Sequence, residues 1–167
     1  MSLLPTEAVE FIGFVAPRHA SEIHPAQGPA IDRDYLKLLA QAHEWGGFDR
    51  VLVAFHATSP DALLLAAQVA AVTERVGLMI AHRTGFTAPT VAARQFATLD
   101  QLTGGRVAIH VISGDDRELA QDGDHLTKTS ATPARASSWT LPGRAGLPTH
   151  RSTMRAHSIG WSAASPR

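Results

Sequence analysis

Four of the nine histidines in this cysteine-free chain of 167 residues stand within or just beyond short apolar runs. Arg18 and His19 follow VEFIGFV, and His56 and Ser59 follow RVLVAF, which ends in Ala54 and Phe55. The third run, VGLMIAH, contains Ala81, ends in His82 and leads into Arg83 and Thr84. The fourth, RVAIHVI, leads into Ser113, Gly114, Asp115 and Asp116, and carries His110 two residues beyond Ala108, hence on the same face of a strand. Imidazoles, guanidinium groups and hydroxyls of this kind can relay protons, hold an anion or ligate a metal. In parallel α/β folds, reactive groups gather at the carboxyl ends of the strands. Each residue alone reads as an ordinary hydrogen-bonded surface group, but convergence from four separate runs points to a site.

The residue types leave several chemistries open. Neutral imidazoles with Asp115 or Asp116 could hold zinc or a similar ion, as in a metal-dependent barrel hydrolase. There is, however, no His-x-His on a strand and no HExxH, so no metal ligand is assigned. Ser113-Gly114-Asp115 follows a strand and could present backbone N–H groups to a phosphate, although no GxGxxG or Walker-type loop accompanies it. No G-x-S-x-G elbow supports acyl transfer. The lack of cysteine excludes disulfides and thiolate metal sites, and it fits a reducing compartment.

Positioning such groups requires strands alternating with helices, and the punctuation supplies both. The runs Val9–Val15, Arg50–Phe55, Val76–His82 and Arg106–Ile112 are nearly continuous in apolar residues, as expected of strands covered on both faces. Asp32 or Asp34 caps a predicted helix with Tyr35, Leu38, Leu39 and Ala42 at helical spacing, closed by Gly46-Gly47. Ser59-Pro60-Asp61 starts a second helix running to about Arg75. Pro89 starts a third, stopped by Gly104-Gly105 near Leu102. Each connection is long enough for a helical crossover, so the strands pair in parallel. The pattern (βα)₃β fits either a doubly wound sheet or the opening of a (β/α)₈ barrel.

The formal net charge is zero, and nothing in it suggests nucleic acid or a membrane surface. Residues 1–127 hold nine basic against all fifteen acidic side chains, a net −6, whereas residues 128–167 hold six basic and no acidic ones. Beyond Thr127 the apolar patterning also stops. The expectation is a domain over 1–127 and a basic, low-complexity tail over 128–167, disordered or translated out of frame. The first ten residues lack a basic stretch followed by an apolar one, and no apolar run is long enough to cross a bilayer, so a cytoplasmic protein is expected.

The stretch PTVAARQFATLDQLTGG (Pro89–Gly105), followed by RVAIHVISG and then DRELAQDGD, resembles the bacterial luciferase-like superfamily, in particular its alkanesulfonate monooxygenase branch. GFVAPRHA and DYLKLLAQAHEWGGFDRVLVA fit the first strand, first helix and second strand of that family. The resemblance covers about residues 9–126. It implies the N-terminal half of a TIM barrel of the α/β class, about four βα units, binding reduced FMN at the carboxyl rim. There, O2 and reduced FMN oxidise a small organic substrate such as a sulfonate, with reduced flavin supplied by a reductase. Carried over by position, Ala54, Phe55, Ala81, His110 and Ser113 are the implied cofactor contacts, and His19 and Ser59 the implied catalytic positions. His110 and Ser113 replace the family's Asn and Thr, and Ser59 stands where some members have cysteine. The family's second half-barrel supplies further phosphate and substrate contacts. The expectation is therefore a truncated monooxygenase, inactive alone, or a non-catalytic half-barrel that binds flavin or a partner or forms a homo-oligomer.

Overall fold

The computed structural model describes residues 9–113, 116–123 and 156–157. Four βα units follow one another: β1 (Ile12–Val15), α1 (Arg33–Trp45), β2 (Arg50–Val53), α2 (Ala62–Ala71), β3 (Gly77–Arg83), α3 (Pro89–Thr103), β4 (Val107–Ile112) and α4 (Asp116–Gln121). A two-residue strand, β5 (Ala156–His157), pairs with β4. Every pairing is parallel, and the strand order β1-β2-β3-β4-β5 is the order in the chain. A doubly wound sheet reverses direction at a switch point, whereas barrel strands are added one after another. The sequential order therefore favours a partial (β/α)₈ barrel, the second of the two architectures the periodicity allows. β5 falls within the stretch 128–167; the remainder of that stretch, the 127/128 boundary, Gly114, Asp115 and Asp124 lie outside the described residues.

One core holds the strands to the helices. Val15, Val51, Val53, Leu78, Ile80, Val107 and Ile109 pack against Leu36 and Ala40 of α1, Leu65, Ala66 and Val69 of α2, and Ala92, Phe96 and Leu99 of α3. Full burial of each large side chain contributes about 1.5–3 kcal/mol. On β1 the burial alternates, with Ile12 and Phe14 exposed. Gly13 shows how closely β1 and α1 approach: a Cβ there would stand 2.1 Å from His43 Cδ2. Glycine at this position leaves room beside β1 for the His43 ring of α1. Leu36 and Ala40 are its buried positions, while Leu38, one of the apolar positions that predict the helix, is 62% exposed. The spacing identifies the helix but not the face it buries.

Two helix ends differ from the sequence expectation for identifiable reasons. At the start of α2 the cap is Asp61 and not Ser59, because the Asp61 carboxylate accepts the Leu64 N–H at 2.8 Å. The same helix stops at Ala71, short of Arg75. There the Glu44 carboxylate, at the end of α1, gathers the N–H groups of Glu74, Arg75 and Val76 at 2.9, 2.7 and 2.9 Å, while Thr73 Oγ1 bonds back to the Val69 carbonyl. Burial opposes the Glu44 charge, but the three N–H donors and nearby Arg75 outweigh it and hold its pKa below the ordinary 4.5. A carboxylate with a depressed folded-state pKa stabilises above its unfolded pKa and loses that contribution as pH falls through the folded value. Glu44→Gln is therefore expected to cost about 1 kcal/mol at neutral pH. The difference from the parent should shrink in acid below pH about 4. Urea melts at both pH values check this, and a pH-independent difference would refute it.

Candidate functional site at the strand ends

The carboxyl ends of β2, β3 and β4 lie side by side. Ala81 and His110 are Cα partners across β3 and β4. Val53 pairs with Ile80, so Ala54, the next residue, falls beside Ala81. The three form one row across the sheet: two methyl groups and an imidazole. Ala81 is buried, Ala54 and His110 are half-buried, and His110 Nδ1 is buried with no hydrogen-bond partner among the described residues. No carboxylate belongs to the row. It can therefore support a flat apolar surface and offer one hydrogen bond, but it holds no acid–base pair.

Above this row a charge cluster closes the end of β3. Arg83 is 2% exposed. Its Nη1 donates to Asp122 Oδ2 at 3.1 Å and its Nη2 to Glu118 Oε2, and its guanidinium lies 5.0 Å from the centre of the Phe55 ring. Glu118 Oε1 also meets His56 Nδ1 at 3.2 Å. These contacts clip α4, whose Leu119 is fully buried, onto the strand end. Sequence reasoning singles out Arg83 and His56 as rim residues but misses Glu118 and Asp122. The missed signal is their spacing of four, which puts both acids on one side of the helical segment DRELAQD, able to face a single cation.

A cavity of about 190 Å³ lies between the end of β3, the first turn of α2 and the middle of α3, with Phe55, Ala81, His82, Arg83, Phe86 and Phe96 among its lining residues. The His82 ring meets Phe96 edge-to-face at 5.2 Å. Burial lowers the His82 pKa from 6.5, against the attraction of Asp61, so the imidazole is uncharged at neutral pH.

The structure thus brings together Ala54, Ala81 and His110 by register, and Phe55 and Ala81 at the cavity. Ser113 follows β4 and is exposed. His19 is exposed, its ring 5.8 Å from that of Tyr35. Ser59 sits in a turn in which its N–H bonds to the His56 carbonyl at 3.0 Å. Neither His19 nor Ser59 lines the cavity. Among the described residues no group of three or more His, Asp or Glu side chains is placed to hold a metal ion, and no helix is long and apolar enough to cross a membrane.

A family model described as luciferase-like monooxygenase matches residues 9–136, taking in all four βα units. EDTA monooxygenase from Chelativorans sp. superposes with a TM-score of 0.65 at 17% identity, over 77% of this chain and 34% of that one. The oxygenating constituent of 3,6-diketocamphane monooxygenase from Pseudomonas putida, solved with FMN, gives 0.62 at 20% identity, over 78% of this chain and 37% of that one. A coenzyme F420 dependent tetrahydromethanopterin reductase from Methanopyrus kandleri gives 0.57 at 21% identity, over 69% and 30%. At such identities the likeness is one of fold. The chain spans about a third of the length of these structures.

Proposed function

The chain belongs to the luciferase-like monooxygenase family, and from that premise we propose that its strand ends supply one face of a site for reduced FMN. The observation that carries the reading is the row Ala54, Ala81 and His110, with a buried Nδ1 that lacks a partner among the described residues. Small side chains at adjacent positions suit a planar ring, and the orphaned nitrogen suits one polar atom on the ring edge. Ala54 and Ala81 would lie under the ring, Phe55 beside it, and His110 and Ser113 at its polar groups. When bound, reduced FMN supplies the reaction with O2, and the protein supplies orientation and exclusion of water. His19 and Ser59 are assigned to the substrate side.

An eight-stranded barrel needs more strands than the four long ones described. We therefore assign oxygenation only to a form in which the remaining strands are supplied, with reduced flavin coming from a reductase in the cytoplasm. The motif resemblance favours an alkanesulfonate as substrate. Among the described rim residues, Arg83 is already paired with two carboxylates and Arg18 with the carbonyls of Gly28 and Pro29, so the sulfonate would take its cations from the remaining strands.

The test is a titration of the whole chain with FMN, followed by flavin fluorescence. Binding is expected, weakened about tenfold in His110→Ala through loss of one hydrogen bond. Chain, reduced FMN, O2 and octanesulfonate together are expected to give no sulfite. Unaltered flavin fluorescence, or equal binding by His110→Ala, would sink the assignment.

A further inference from the structure

We propose that β1 is an interaction surface for a second copy of this chain, the two β1 strands pairing antiparallel about a twofold axis between their Gly13 residues. The sheet leaves one edge for this. β4 is flanked by β5 of the same chain, whereas β1 has no strand on the side away from β2 among the described residues. Which backbone groups face that edge follows from the ladder. The Arg50 N–H donates to the Phe11 carbonyl at 3.3 Å, and Ile12 is the Cα partner of Arg50. Alternation then turns the backbone groups of Gly13 and Val15 toward β2, and those of Ile12 and Phe14 toward the open edge. Two donors and two acceptors stand in a row there, a template for another strand.

The strand is complementary to its own copy. With the two Gly13 residues opposite each other, Ile12 stands opposite Phe14 of the second copy, and Phe14 opposite its Ile12. Opposite residues of an antiparallel ladder exchange both backbone bonds, so the two pairs use all four open groups of each copy. Ile12 and Phe14 also share the face opposite Gly13 and Val15, which lie against α1 and the core. They are 39% and 52% exposed, so each pair gains an aromatic contact with a β-branched side chain. Charge favours the same direction. Glu10 precedes β1 and Arg18 follows it, and Arg18 forms no ion pair among the described residues. Antiparallel pairing sets the acidic end of each strand beside the basic end of the other, whereas parallel pairing sets like beside like. Area limits the strength. The exposed Val9, Phe11, Ile12 and Phe14 offer a few hundred Å² per copy, against about 800 Å² in a standard interface. A dissociable dimer follows, with a Kd of tens of micromolar as the order of magnitude. The pairing does not rest on the flavin reading. A closed barrel would pair this same edge, so the dimer and the oxygenating form exclude each other.

The test is sedimentation velocity of the whole chain without flavin, from about 1 to about 300 µM. The mass is expected to rise from one copy to two and to stop there, because a twofold pairing closes on itself. Ile12→Glu and Phe14→Lys, each alone, are expected to weaken the dimer at least about tenfold, since a charge then faces an apolar residue in both pairs. Mixed in equal amounts, the two variants should recover the dimer. The mixed dimer sets the introduced acid opposite the introduced base and keeps one original pair. Hydrogen exchange of the unsubstituted chain, followed by NMR, decides the matter if either variant fails to fold. The amides of Ile12 and Phe14 should gain protection as the dimer forms, while those of Gly13 and Val15, already bonded to β2, should not. A mass that stays at one copy or grows beyond two would overturn the proposal. So would dimerisation unchanged in both variants, a mixture of folded variants that stays monomeric, or Ile12 and Phe14 amides that gain no protection.

Discussion

Arg106→Ala is expected to destabilise the fold by about 3 kcal/mol, read as a shift in the urea midpoint with little change in slope. Arg106 is the residue between the Gly104-Gly105 stop and β4. Its Nε donates to the Thr103 carbonyl at 3.1 Å, Nη1 to Thr73 Oγ1 at 3.0 Å and the Val76 carbonyl at 3.2 Å, and Nη2 to the Ala70 carbonyl at 3.1 Å. One guanidinium thus joins the end of α3, the end of α2 and the turn into β3. Alanine would leave three carbonyls and a hydroxyl short of a donor in a half-buried position, and charged donors contribute more per bond than neutral ones. Arg106→Lys is expected to recover only part of the loss, because a single ammonium cannot reach acceptors spread around a planar fork. Equal stability of the lysine variant would show that charge, and not geometry, holds the junction.

The same junction explains what the most informative stretch of sequence encodes. In LDQLTGGR, Asp100 is 4% exposed, and its Oδ1 accepts the Val107 N–H that opens β4. Its carbonyl receives the N–H of Gly105 at 2.8 Å. Gly104 and Gly105 have φ of +71° and +90°, a region in which a side chain is strained. This part of the motif that carries the family resemblance is a helix-to-strand turn, and its residues hold the junction between α3 and β4. This is why the fold was more legible than the site. Caps, glycine stops and apolar runs act within a few residues, so periodicity and turn chemistry locate them. The pairing of Arg83 with Glu118 and Asp122 spans 35 and 39 residues and exists only once α4 has folded back over β3. The two residues of β5 are too few to produce a periodic signal. For the implied site, the register of β2, β3 and β4 groups Ala54, Ala81 and His110, whereas His19 and Ser59 lie on loops whose course no local pattern specifies.

That long-range pairing makes the second large expectation. Arg83→Met should cost about 3 kcal/mol, because it removes a buried cation and leaves two carboxylates facing an apolar strand end. Methionine retains much of the side-chain volume, so the loss would report charge and hydrogen bonding more than a cavity. Glu118 and Asp122 are 28% and 23% exposed, so water relieves part of their repulsion and keeps the cost below that of a fully enclosed pair. If the charges are the cause, the triple change Arg83→Met with Glu118→Gln and Asp122→Asn should restore most of the stability, since no uncompensated charge remains. Hydrogen exchange locates the effect: in Arg83→Met the amides of α4 should lose protection before those of β1 and β2, because α4 depends on this clasp and on Leu119. If α4 kept its protection in Arg83→Met, burial of Leu119 alone would hold the helix in place. The carboxylates would then be partners of convenience for an arginine that β3 buries for another reason.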